Sequence, residues 1–390
     1  MMKKEINTGR IPIKLWLDDM EEGAMEQARN LAELPFAFSH IAIMPDSHQG
    51  FGMPIGGVLA TEDVIIPNAV GVDIGCGMCS LKTSWQDVDK KTLIKIVESI
   101  KRKVPVGFKH HNAKQDASLM PDRSLIDKFE SISSEEYNNA LTQIGTLGGG
   151  NHFIELQNGD DGHIYIMIHS GSRNIGKKVA DHYNRLAKSL KNDYNSEIPN
   201  NWQLDYLKLD DEVGENYVTE MNFCVEFAFA NRKLMMERVK EAFIESGKYV
   251  EFGDLVNIAH NYAAKETHFG EEVYVHRKGA TSAKSGEIGI IPGSQGTKSY
   301  IVKGKGNSES FTSCSHGAGR KMGRKFAQKN LDLNKEIGRL DNAGIIHSIN
   351  SIKDLDEAPS AYKNIKDVMK NQEDLVDILI ELSPLAVVKG

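Results

Sequence analysis

The sequence predicts an α+β fold: one large interleaved domain over residues 1–390, with a mixed β-sheet core and an inserted helical segment at about 190–250. Three observations carry this. Short apolar runs, several ending in glycine-rich turns, alternate with longer stretches of helical spacing. No internal repeat, low-complexity tract or Pro/Ser-rich linker divides the chain. Motifs with chemistry-bearing side chains run from residue 46 to residue 389, so a site assembled from both ends leaves no place to cut.

Helical spacing is read over residues 88–103, 175–191, 213–246 and 363–382. The third, "VGENYVTEMNFCVEFAFANRKLMMERVKEAFIESG", ends at Gly247, a natural C-cap. Its Met and Phe stripe is read as packing rather than a cofactor box, and the segment is expected to project as a helical hairpin. Among the strands, "HIYIMIHS" places Ile164, Ile166 and Ile168 on one face and Tyr165, Met167 and His169 on the other. That is a buried strand delivering His169 at its end. "VNIAHNY" aligns Val256, Ile258 and His260 in the same way.

At 40% hydrophobic and 26% charged residues the composition is that of a soluble globular protein. Cys76, Cys79, Cys224 and Cys314 show no extracellular framework spacing, and no signal-peptide core follows "MMKKEINTGR". No apolar run approaches the roughly 20 residues of a membrane span, so the expected location is the cytoplasm. The net charge of −7 would by itself argue against a polyanionic partner. Its distribution argues otherwise. Acids concentrate between Asp205 and Glu226, while bases cluster at Lys101–Lys103, at Arg173, Lys177 and Lys178, at Arg277 and Lys278, and from Arg320 to Lys325. Apart from the first, these clusters adjoin histidine motifs, which points to a phosphate-bearing substrate.

Five residues able to bind soft or borderline metals sit within or beside short apolar runs: Asp73, Cys76, His152, His169 and His260. One thiolate, one carboxylate and three imidazoles serve two divalent ions only if a ligand is shared, and the thiolate of Cys76 is the natural bridge. The mixed set suits Mn²⁺, Zn²⁺ or Co²⁺ better than Mg²⁺ or Ca²⁺. Structural zinc knuckles, with paired C-x-x-C or C-x-x-H, are absent.

Three glycine-rich segments, "GTLGGGNHF", "IPGSQGTKS" and "SCSHGAGRK", surround these residues and would let backbone N–H groups approach phosphate oxygens. A helix is expected from around Gly319, stacking Arg320 and Arg324, with Lys321 and Lys325, on neighbouring faces. Neither a Walker A motif nor a Rossmann glycine fingerprint occurs, so nucleotide binding would be of an unusual type. His316, in the last of these loops, is open to three readings: a sixth metal ligand, a structural residue, or a nucleophile toward phosphorus.

These motifs resemble the RtcB family of RNA-splicing ligases, which join RNA ends using GTP and manganese. The resemblance covers nearly the whole chain and rests on "MPDSHQGFGMPIGG", "GVDIGCGM", "GTLGGGNHFIEL", "IHSGSRNIG", "AHNYA", "HFGEEVYVHRKGATSA", "IPGSQGTKSYIV", "SCSHGAGR", "EAPSAYKNI" and the terminal "VVKG". The "DIGCGM" form is similar to the bacterial branch. The resemblance implies one Mn²⁺ on Asp73, Cys76 and His152 and a second on Cys76, His169 and His260. It implies that His316 attacks the α-phosphorus of GTP and passes GMP to an RNA 3′-phosphate, so that a 5′-hydroxyl end displaces GMP. A 2′,3′-cyclic phosphate end would first be opened at the same metals.

The same resemblance places the nucleotide against Asn151, His152, Phe153, Ile154 and Glu155, against His260 and Asn261, and against Pro292, Gly293, Ser294, Gln295 and Ser299. It adds His316, Gly317, Ala318 and Gly319, with Tyr362 packing on the base, and Glu155 and Lys389 reading guanine. Asp46 either orients a histidine or makes a structural turn. Arg173, Arg320 and Arg324 are the candidates for RNA phosphates. Gln295 stands where the family pattern has methionine, and its amide would bond ribose or phosphate, or merely pack. Whether the RNA is a tRNA intermediate or a repair substrate, and whether an archease-type activator takes part, is left open. The rival readings are a dinuclear phosphoesterase, which needs neither His316 nor Lys389, and a non-catalytic RNA-binding module, which needs no Cys76 beside Asp73.

Overall fold

The computed structural model describes residues 1–390. Six strands form one sheet in the order Lys4–Ile6, Ile13–Leu15, Ala37–His48, Ile55–Thr61, Glu271–Lys278 and Asn261–His268. Ile13–Leu15 runs parallel to Ala37–His48, and the other pairs are antiparallel. A second sheet of seven antiparallel strands runs Val256–Ala259, Gly77–Lys82, Ile164–Ser170, Phe153–Gly159, Val376–Lys389, Ser299–Gly304 and Ile288–Ile291. Its edges curl toward each other, so that Val256 and Ile258 share an interior cluster with Ile288 and Ile290, and the sheet nearly closes.

The strand Ile164–Ser170 is the one expected. Ile164, Ile166 and Ile168 pack outward with Ile96, Ile100 and Phe243, while Tyr165 and Met167 fill the interior of the curled sheet. "VNIAHNY" is not one strand. Val256–Ala259 belongs to the seven-stranded sheet and Asn261–His268 to the six-stranded one, leaving His260 at the junction, where its N–H donates to the Cys76 carbonyl at 2.8 Å.

Helices Lys90–Lys103 and Arg173–Ser189 fall within two residues of expectation. The third helical stretch forms a single 33-residue helix, Glu212–Ile244, and not a projecting hairpin. Neither Pro nor Gly interrupts it after Gly214, and its apolar residues occupy several faces. Tyr217, Phe223 and Phe227 enter one core cluster, and Met235, Met236, Val239 and Phe243 another. The helix is thus buried between the two, as a helix apolar on many sides must be.

The stretch 363–382 also departs from a single helix. Only Ile365–Asn371 is helical, and Val376–Lys389 is a strand. The β-branched run "VDILI" and Pro384 disfavour a helix, and the strand gains partners on both sides, Ser299–Gly304 and Phe153–Gly159. The helix expected from Gly319 begins at Arg324 instead. Gly319 adopts φ +71°, and a Cβ there would lie 2.0 Å from the Asp46 carbonyl oxygen. That close approach, with the bridge between Arg320 and Tyr362, holds residues 319–323 out of helix. No helix is long and apolar enough to cross a membrane.

Candidate active site

Asp73, Cys76, His152, His169 and His260 converge. Cys76 enters on the turn before the strand Gly77–Lys82, His169 at the end of its strand, His152 from the glycine turn before Phe153, and His260 from the sheet junction. Cys76 Sγ lies 3.4 Å from His152 Nε2 and 3.3 Å from His169 Nε2. His152 Nε2 is 3.0 Å from Asp73 Oδ2, and the Nε2 atoms of His169 and His260 are 3.4 Å apart. Two triads share the thiol: Asp73–Cys76–His152 and Cys76–His169–His260, with ligand atoms within 4.8 Å of one another in each. Cys76 is the one residue common to both groups.

The protons decide what the cluster is for. His152 Nδ1 faces the Leu147 carbonyl and His169 Nδ1 the Asn151 carbonyl, both at 3.1 Å. A carbonyl only accepts, so both Nδ1 atoms carry a hydrogen, and each Nε2 points into the cluster. Burial, followed by the neighbouring imidazoles, pushes His169 and His260 well below the ordinary histidine value. Burial, followed by the Asp73 charge, pushes the Cys76 thiol well above its own. Carboxylate, thiol and ring nitrogens therefore crowd one another in a buried pocket, and His260 Nδ1 is buried without a partner. Divalent ions fit this donor set and would resolve the conflict. A buried Arg232 braces the scaffold from the long helix, donating to the carbonyls of Gly75 and Ser170 at 2.9 Å each.

His316 lies beside the cluster, its ring centroid 4.8 Å from that of His260. Its Nδ1 donates to Asp46 Oδ2 at 2.6 Å, and the same oxygen accepts the N–H groups of His316 and Gly317 at 3.1 and 3.3 Å. Of the two readings of Asp46, the orienting one is the contact seen. Burial alone would raise the Asp46 carboxyl, but His316 and then Lys363 outweigh it and hold the carboxylate ionised. With Nδ1 so engaged, Nε2 is the ring nitrogen of His316 left free.

A cavity of about 590 Å³ opens beside His316, lined by Asn151, Phe153, Pro292, Gly293, Gly317, Ala318, Gly319 and Tyr362, with Arg320 and Arg324. A second, of about 290 Å³, is lined by Asp73, Cys76, His260, Asn261 and His316, and shares Asn151 with the first. Ile154, Glu155, Ser294, Gln295, Ser299 and Lys389 line neither cavity. Several of them brace the wall of the first. Ser299 Oγ accepts from the Gly293 N–H at 3.1 Å, and the Gln295 amide turns to the Glu357 carbonyl at 3.0 Å. Burial pushes the Glu155 carboxyl up to about 8, against a bond from Gln157. Arg173 is packed under the glycine turn, donating to Thr146 Oγ1 at 3.1 Å and to the Gly107 carbonyl at 3.2 Å.

Sequence reasoning missed Glu357, although it opens the motif "EAPSAYKNI". Its buried carboxylate accepts from Tyr362 Oη at 2.6 Å, Arg324 at 2.6 Å, Lys389 Nζ at 2.8 Å and Arg320 at 3.2 Å. Four residues expected at nucleotide or RNA are thereby tied to one acid. The signal available for it was a charged residue inside a motif read for its neighbours. Lys278, read from the sequence as one of the bases pointing to a phosphate-bearing substrate, is instead buried, its Nζ donating to the carbonyls of Phe51 and Asn68 at 2.6 and 2.7 Å.

The family model for tRNA-splicing ligase RtcB matches residues 27–390. The chain belongs to the RtcB family. RNA-splicing ligase RtcB of Escherichia coli strain K12 is 38% identical, the match covering 99% of each chain. The tRNA-splicing ligase RtcB of Thermococcus kodakarensis is 30% identical over 98% of this chain and 95% of that protein. RNA-splicing ligase RtcB homolog 1 of Entamoeba histolytica is 31% identical over 94% of this chain and 83% of its own. Within RtcB this chain is of the bacterial type, as its "DIGCGM" turn suggested.

Proposed function

We propose that this protein is an RNA ligase that joins a 3′-phosphate or 2′,3′-cyclic phosphate end to a 5′-hydroxyl end at the expense of GTP. The observation that carries the reading is His316: an imidazole with its Nδ1–H on a buried carboxylate and its Nε2 free beside five metal-type donors. A phosphoesterase that attacks with a metal-bound hydroxide does not require such a nucleophile. In this reading His316 Nε2 bonds to the α-phosphorus of GTP as the bond to pyrophosphate breaks. Asp46 takes up the positive charge that develops on the ring through Nδ1–H. GMP then passes to the RNA 3′-phosphate, giving an RNA–ppG end. The 5′-hydroxyl oxygen of the second strand bonds to that phosphorus, and GMP leaves.

Asp73, Cys76 and His152 would hold one Mn²⁺, and Cys76, His169 and His260 the other. When bound, the ions supply Lewis-acid stabilisation of charge on phosphoryl oxygens. The chain's own residues do the rest. Asn151, Gly293 and the loop from Gly317 to Gly319 line the phosphate space, Tyr362 offers a face to the base, and Arg320 and Arg324 line the mouth toward RNA. Glu155 and Lys389 would read guanine from the adjoining strands, and Lys389 would leave Glu357 to do so. These contacts, like the metal identity and the joining of tRNA halves or of repair substrates, are part of the proposal.

The test is incubation with Mn²⁺ and α-³²P-GTP followed by a denaturing gel, beside His316→Ala. An acid-labile, alkali-stable label on the native chain alone, with metal content equal in both proteins, is the expected result. Hydrolysis of 2′,3′-cyclic ends without any adduct would overturn it in favour of a phosphoesterase.

A further inference from the structure

Asp46, which holds His316 Nδ1, is itself held from behind by a residue outside the site. In the pairing of Ala37–His48 with Ile55–Thr61, Ile43 lies opposite Gly57 and His48 opposite Ile55, so residues 44–47 bulge over the single residue Gly56. A bulge re-aims a side chain and takes its backbone out of the ladder. Lys363 supplies what the ladder does not. Its Nζ donates to the carbonyls on both sides of Asp46, that of Pro45 at 3.2 Å and that of Ser47.

The carboxylate needs that support. Oδ2 accepts three N–H groups, whereas Oδ1 is buried without a partner. Bonded on one side only, the Asp46 side chain takes its orientation from its backbone, and Lys363 fixes the backbone. Its charge also counts, because after His316 the Lys363 cation is what keeps this buried group ionised. Lys363 reaches the bulge through its place in the chain. The Lys321 N–H donates to the Ala361 carbonyl at 3.0 Å and the Lys363 N–H to the Gly319 carbonyl at 2.9 Å, so residues 361–363 run as an extended segment beside 319–321. Successive side chains of an extended segment point to opposite sides. Tyr362 lines the cavity beside His316, while Lys363 lines neither that cavity nor the metal cavity and turns under Asp46.

We propose that Lys363 is a positioning residue for nucleotidyl transfer, fixing the Asp46 bulge and through it the direction in which His316 Nε2 points. The inference rests on the ligase reading. It adds a third member behind the Asp46–His316 pair, one that acts on the nucleophile only through the carboxylate. A misdirected nitrogen slows attack on phosphorus without changing how tightly nucleotide or metal is held.

The experiment is a single-turnover measurement of label transfer from α-³²P-GTP to the Mn²⁺-loaded protein at increasing GTP. Lys363→Met, which keeps the length of the side chain and loses its charge and donors, should slow the maximal rate about 100-fold. The half-saturating GTP and the metal content should stay at native values. Lys363→Arg, which keeps both charge and donors, should recover to within about ten-fold of the native rate. In an Asp46→Ala background the Lys363→Met substitution should slow the step by no more than about two-fold, since nothing remains for it to position. Lys363→Gln should show the same separation of rate from binding, and decides the matter if Lys363→Met does not fold. An unchanged rate, a loss matched by loss of metal or of GTP binding, or losses that multiply in the double variant would overturn the assignment. A native protein that forms no GMP adduct would instead overturn the ligase reading and the assignment with it.

Discussion

Two polar clusters flank His316 and are built on opposite terms. Around Cys76, five metal-type donor atoms crowd together, and His260 Nδ1 has no partner at all. Around Glu357, four donors meet a carboxylate that can accept them all. Both are buried and both draw residues from distant parts of the chain. The first is complete only with something added; the second is complete as it stands. An unsatisfied buried cluster costs stability unless a ligand relieves it, whereas a satisfied one holds architecture.

Cys76→Ala should break the comparison most severely. It removes the one atom both triads share, so both ions should be lost and joining with them, as read by metal content after dialysis and by ligation. The metal-free fold should change little, by less than about 1 kcal/mol in denaturant melts, because the cluster loses only a weak S–H donor there. A metal-free variant that unfolds markedly more easily would show that the donor cluster is architectural after all.

Glu357→Gln should do the reverse. It leaves metal binding intact but strips the countercharge from Arg324 and Lys389, destabilising the protein by about 3 kcal/mol. Burial alone would raise this carboxyl, but Lys389 and Arg324 hold it down to about 2, below the ordinary 4.5. A depressed carboxyl stabilises fully above its unfolded value and loses that contribution as pH falls through the folded one. Native and variant melting curves, well separated at neutral pH, should therefore converge between about pH 4.5 and pH 2. Parallel curves down to pH 2 would deny Glu357 its role as the hub.

The contrast also marks what a sequence can disclose. The donor residues are legible because each sits in a short apolar run or at a glycine turn, and the alternation along Ile164–Ser170 is enough to put His169 at a strand end. That Cys76 would be the shared donor is legible from the ligand count, while the grouping of the other four around it is what the family resemblance implies. Glu357 is not, because a hub is defined by partners at positions 320, 324, 362 and 389, and no spacing rule links these. Tertiary pairing likewise overrides local pattern where 363–382 gives a short helix and then a strand, and where His260 falls between two sheets. The long helix is legible as a helix, but the two core clusters that enclose it are assembled from remote segments, so its spacing alone predicts projection where the fold runs it through the core.

The smallest effect should come from the residue that departs from the family pattern. Gln295 donates to the Glu357 carbonyl at 3.0 Å, yet its Oε1 is buried without a partner. One amide therefore makes a bond with its nitrogen and forfeits one with its oxygen. Gln295→Met removes both terms at nearly constant volume, so the gain from deleting an unsatisfied oxygen offsets the loss of a neutral hydrogen bond to within about 1 kcal/mol. The melting temperature should barely move, and so should the KM for GTP, since Gln295 does not line the cavity beside His316. A KM that rises several-fold while stability holds would mean that the amide leaves Glu357 for the ribose or phosphates once GTP is bound. The satisfied cluster would then be part of the nucleotide site and not merely its wall.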